Sequence, residues 1–214
     1  LVGQKEVKQW VLTMLKEEID PLCDIQQFKR SKNSILYKRS IDSTRQYIEM
    51  NMFYKPKYAP DSIAHIYPWV KIEIPEVNVH ASNMVKDKIL LANNPEITIR
   101  QPIDTLLPKE KQSRWLISGE KETIELGNTI GEFISKWVFV FLNDYNSAAG
   151  IVIGYEQRDK RPLLSEKWIL YITASYIAIG NLEKAEQTLN ENFSRPGLRK
   201  KYESAFEYVL KLKR

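Results

Sequence analysis

A single cysteine, Cys23, leaves no room for an intramolecular disulfide or a cysteine-built zinc site. In a chain so poor in thiols it reads as a small apolar filler in a reducing setting. Histidine is almost as scarce. His65 and His80 lie fifteen residues apart, and neither Glu73 nor Glu76 completes a spacing that metal sites use, so no metal ligand is assigned. The glycine signatures of nucleotide binding and of strained nucleophile turns are missing: there is no GxxxxGK, no GxGxxG and no GxSxG. HExxH is missing as well, and no catalytic residue or cofactor is assigned. Long apolar runs are also lacking. The most apolar window, "WVFVFL" at 137–142, runs back into Lys136, Glu132 and Glu125, far short of a membrane span. Charges recur through the opening "LVGQKEVKQWVLTMLKEEID", which does not read as a signal peptide, so a cytoplasmic location is expected.

What the chain does have is a globular composition, 43% hydrophobic and 28% charged over 214 residues, enough for a sizeable core. The net charge of +5 gathers at the two ends: 11 Lys and Arg against 7 Asp and Glu in residues 1–60, and 9 against 6 in 166–214. A surplus this diffuse is weak evidence for a nucleic-acid stripe.

Hydrophobic spacing divides the chain near Trp115. Val7, Trp10, Val11, Met14 and Leu15 recur at helical intervals, predicting an amphipathic helix that ends at Asp20-Pro21. "NSILYKRSI" (33–41) and "RQYIEMNMFYKP" (45–56) alternate with period two around the turn formers "DSTR", which predicts an antiparallel hairpin. Val70, Ile72 and Ile74, then Val77 and Val79, extend the alternation over 69–81, with Pro75 read as an edge or bulge position. "EITIRQPI" (96–103) adds a short strand. Beyond Trp115 the period becomes helical over 121–145, about 164–179, 182–192 and 197–211, while 146–162 fits a short helix or a structured loop. Gly127 and Gly131 read as a site of close helix packing. The expected fold is α+β: an N-terminal helix on an antiparallel sheet of about four strands, then a helical C-terminal layer. Residues 1–115 and 116–214 are expected to be its two parts.

Two features invite a functional reading. Tyr176, Gly180, Ala185, Leu189 and Pro196 resemble the punctuation of one helical-repeat unit, but no second unit lies one period away. A helical hairpin packed internally is expected instead. Glu120, Glu122 and Glu125, clustered before a helix, read as first-turn charges rather than as a catalytic pair. The candidate partner-binding residues are Tyr54, Tyr58, Tyr67 and Trp69, in the loop "YKPKYAPDSIAHIYPW" (54–69), where prolines limit freedom before binding. The alternative partner is RNA or DNA, held by the basic hairpin residues Lys29, Arg30, Lys32, Lys38 and Arg39 with Phe28 and Tyr37 interleaved.

The opening helix, Phe28-Lys29-Arg30, "ILYKR", "YIEMNMFYKP" and a helix introduced by "SGEKETIEL" together resemble an uncharacterised bacterial domain family. That family is similar in layout to the immunity proteins of polymorphic and contact-dependent inhibition toxin systems. The resemblance covers residues 4–142 and is one of rhythm. It implies a non-enzymatic protein whose partner is another protein, such as a cognate toxin, and it transfers no site residue.

Overall fold

The computed structural model of the protein describes residues 2–108 and 114–214. The fold is α+β, with a helix first, an antiparallel sheet next and helices last.

Helix α1 (Gln4–Met14) forms on the predicted spacing and buries Val7, Trp10, Val11 and Met14. It does not end at Asp20-Pro21. The helix widens through a π-helical turn (Leu15–Ile19) and goes on as α2 (Asp20–Ile25). The wider turn resets the hydrogen-bond register, so Pro21 falls in a first helical turn, where its lack of an N–H leaves no gap.

Strands β1 (Leu36–Ile41) and β2 (Thr44–Tyr54) meet at a two-residue turn, with Asp42 in the left-handed region at φ 50°. With β3 (Ala64–Glu73), β4 (Ile99–Pro102) and β5 (Trp115–Ile117) they make one five-stranded sheet. Its order is β1-β2-β3-β4, and β5 also pairs with β3, placing Ala64 opposite Ile117 and Ile66 opposite Trp115. Period two sorts the side chains. Gln46, Ile48, Met50, Ala64, Ile66 and Val70 are buried on one face. Tyr47, Glu49, Asn51 and Phe53 of β2, and His65, Tyr67, Trp69 and Lys71 of β3, stand on the other.

The expected strand over 69–81 is half correct. β3 stops at Glu73, and α3 (Pro75–Met84) follows with Pro75 in its first turn, not at a strand edge. Val77, Ala81 and Met84 are buried at helical intervals while Val79 is 57% exposed, so helical burial overrides the Val77/Val79 alternation. Asn78 ties this helix down, its amide donating to the Glu96 carbonyl at 2.6 Å and its oxygen accepting from the Thr98 hydroxyl at 2.7 Å. The segment 54–69 is likewise not all loop, because Tyr67 and Trp69 lie within β3.

The chain clusters into two compact units. The first takes residues 1–40, 45–71 and 100–143; the second takes 41–44, 72–99 and 144–214. In the first, α4 (Glu120–Phe133) packs on α1 and continues through a second π-helical turn (Ile134–Val138) into α5 (Phe139–Asp144). Two small residues in α4 also let it approach the π-helical turn and α2 that continue α1. A Cβ on Gly127 would fall 2.5 Å from Glu18 Cγ, and one on Gly131 2.8 Å from Leu22 Cδ1. The inner face of the sheet meets the same helices: Trp115 packs edge-on against Phe133, and Gln46 donates to the Leu142 carbonyl.

The second unit is helical. α6 (Ala148–Glu156), capped by the Ser147 hydroxyl, occupies the stretch left open between helix and loop. α7 (Glu166–Ala178) is buried almost all round and packs against α3, α6 and α8 (Leu182–Phe193). Gly180, at φ 79°, makes the turn between α7 and α8. Tyr176, Ala185 and Leu189 are all buried, so the repeat-like hairpin is internal packing. α9 (Pro196–Lys201) and α10 (Glu203–Leu212) end the chain, and the Tyr208 hydroxyl meets His80 Nδ1 at 3.0 Å.

Candidate functional site

Alternation along β3 carries His65, Tyr67 and Trp69 onto the outer face of the sheet in one row. Neighbouring ring centroids are 6.3 Å apart, and each adjacent pair is close to edge-on. Phe53 of β2 joins the row, 5.2 Å from His65 and 6.4 Å from Tyr67. From the β2–β3 connection Tyr58 leans over its end, with its hydroxyl 2.8 Å from His65 Nδ1. Phe53 is 47% and Tyr58 57% exposed, large apolar surfaces that this fold leaves in water.

Arginines flank the row, each with a carboxylate close by. Arg100 of β4 lies 5.0 Å above the Trp69 ring and reaches Glu49 of β2 at 2.8 Å, spanning three strands. Arg114 lies 4.3 Å from the Tyr67 ring and 3.8 Å from Asp104, which accepts a hydrogen bond from the Tyr67 hydroxyl. Burial, and then the Asp104 hydrogen bond, raise the Tyr67 phenol above its ordinary range. Burial, with the Arg114 charge second, lowers the His65 imidazole. The patch is therefore aromatic, close to charge-balanced and braced by its own contacts.

Three of the four residues proposed as partner-binding come together here: Tyr58, Tyr67 and Trp69. Tyr54 does not join them. It belongs to the opposite parity of β2, and its hydroxyl donates to the Gln4 carbonyl at 3.1 Å. The sequence reading does not place Phe53, His65, Arg100 or Arg114 among the partner-binding residues, although the alternation of 65, 67 and 69 is legible in it.

The basic residues divide differently. Arg30 is 5% exposed and forks onto Asp20 at 2.7 and 2.8 Å, beside Tyr37. Arg39 faces inward over Phe28 at 4.4 Å and donates to Gln46, the Gln26 carbonyl and Asn143. Both guanidinium groups hold the unit together. Lys29, Lys32 and Lys38 are exposed.

His65 belongs to the first unit and His80 to the second. Among the described residues no group of three or more His, Cys, Asp or Glu could hold a metal ion. Glu120 and Glu122 sit in the first turn of α4, and Glu125 lies 3.8 Å from Lys121. Burial first, and then Asp20 and Asp24, push the Cys23 thiol up to about 12, which suits a filler. No helix among the described residues is long and apolar enough to cross a membrane. No protein-family model, curated protein or solved structure matches the chain.

Proposed function

We propose that the protein works by binding another protein, and that the outer face of its sheet, centred on Phe53, Tyr58, Tyr67 and Trp69, is the docking surface. One observation carries the reading: exposed aromatic rings and arginines are gathered on an ordered sheet face that their own contacts brace. Trp, Tyr and Arg are the residues that dominate binding energy at protein interfaces. Side chains already fixed by neighbours lose little entropy on binding. The resemblance in layout to immunity proteins supports the same reading, because a protein that neutralises a toxin by covering it is a binder of this kind.

Single-stranded nucleic acid is the second reading, favoured by the open sheet face with its aromatic rings. Weighing against it, Arg100 and Arg114 are each beside a carboxylate, and a phosphate would have to displace Glu49 and Asp104. The test is a photo-crosslinker, benzoylphenylalanine, placed at position 53 and, as a control, at Leu164, which is exposed in the other unit. In the native cells the position-53 protein should give a discrete protein adduct that the Leu164 control lacks. Either no adduct, or one removed by ribonuclease, would overturn the protein-binding reading.

A further inference from the structure

Among the described residues two buried side-chain nitrogens lack a hydrogen-bond acceptor, the indole Nε1 of Trp115 and that of Trp69. Trp115 is buried in the core against Phe133. Trp69 differs, because it stands on the outer face, partly exposed, at the end of the aromatic row. A donor shielded from water with no partner costs free energy, and a ligand that supplies the acceptor recovers it. Arg100, 5.0 Å above the same ring, gives its Nε and Nη2 to Glu49, and its Nη1 has no acceptor among the described residues. Two N–H donors thus lie close together without an acceptor.

Charge decides which acceptor fits them. Glu49 and Asp104 stand beside Arg100 and Arg114, so an anionic segment meets carboxylates as well as guanidinium groups. A neutral acceptor meets no such opposition, and in a polypeptide that is a backbone carbonyl. Carbonyls inside a helix or a sheet are already used. Those of a polyproline II helix are all unpaired, because that helix has no internal hydrogen bonds. Proline also brings no N–H, which suits a face whose carboxylates are taken, Glu49 by Arg100 and Asp104 by Tyr67. Its ring packs on exposed aromatic side chains, here Phe53 and Tyr58, and its fixed φ limits the entropy lost on binding.

We propose that the aromatic row docks a proline-rich, polyproline II segment of the protein partner, one of whose carbonyls accepts from Trp69 Nε1, a proposal that rests on the protein-binding reading of this face. Arg100 is nearly half exposed and its pair with Glu49 is of the weak surface kind, so it can shift to admit that carbonyl.

The experiment follows the indole N–H signals of the nitrogen-labelled protein by NMR, with decaproline as the probe and a Gly-Ser decapeptide and an oligouridylate as controls. Decaproline should move the Trp69 signal downfield and saturably, while those of Trp10, Trp115, Trp137 and Trp168 stay in place. Trp69→Phe keeps an aromatic ring and removes the donor. It should weaken decaproline binding by about tenfold, and Phe53→Ala should weaken it too. A thermal melt verifies that both variants fold; should Trp69→Phe unfold, the shift of the sequentially assigned Trp69 signal in wild type decides. The proposal is overturned if decaproline does not bind, if it binds without moving the Trp69 signal, if a folded Trp69→Phe binds it equally, or if either control binds as tightly. A protein adduct from position 53 alongside any of those results keeps the docking surface and removes only its proline-rich occupant.

Discussion

At the scale of single residues, the two arginines that a basic run offers to a nucleic acid are committed to holding the fold. Arg39 donates to three partners, one of them Asn143 at 2.5 Å, and lies over the Phe28 ring. Arg39→Ala should therefore lower stability by about 1.5–3 kcal/mol, the range for a hydrogen bond to a charged group. Urea denaturation measures it; a midpoint unchanged from wild type would mean that the contacts contribute nothing. His65 supplies a pH dependence. Burial and the Arg114 charge hold its folded-state pKa below 6.5, so the unfolded chain binds the proton first as pH falls. The stability it contributes is complete above 6.5 and is lost as pH drops from there toward the depressed value. His65→Gln should flatten the fall in stability between about pH 7 and 5 relative to wild type. An unchanged slope would remove His65 as its source. Neither property could be read from the sequence, because a basic run or a lone histidine looks the same whether its side chain points into a core or into water.

At the scale of elements, the alternation and the helical spacing located the β1–β2 hairpin and most of the helices, but missed α3 and the short strand β5. Val77 and Val79 alternate like a strand. The buried set is Val77, Ala81 and Met84, and a short apolar stretch fits either period until its neighbours are known. Pro21 looked like a stop because the preceding π-helical turn has no sequence signature. The row His65, Tyr67, Trp69 was legible as alternation but was hidden by prolines that made the segment read as loop; Pro68 sits within β3 itself. Arg100 and Arg114 reach the row from other parts of the chain, and no local pattern announces that. The helical hairpin gives the direct test at this scale. Ala185 is fully buried in α8, so Ala185→Trp should overpack the hairpin and destabilise by about 1–3 kcal/mol. A melting curve matching wild type would place Ala185 on an exposed groove instead.

At the scale of the whole molecule, each compact unit is gathered from separated stretches of chain. The sheet-bearing unit takes α4 and α5 from beyond residue 115, and Gly127 and Gly131 admit the helix that begins at Gln4. A fragment ending at residue 115 should therefore lack a cooperative thermal transition by circular dichroism, since it exposes the apolar surface that α4 covers. A sharp melt of that fragment would show that strands and first helix suffice. The central claim, that the outer face of this sheet binds a protein, is tested most directly on the partner caught by the crosslink from position 53. Titration calorimetry would compare its affinity for wild type, Phe53→Ala and Tyr58→Ala. Both residues are about half exposed, so truncating either should weaken binding by about tenfold or more while shifting the melting temperature by only a few degrees. Affinities equal to that of wild type, in variants that remain folded, would contradict the account.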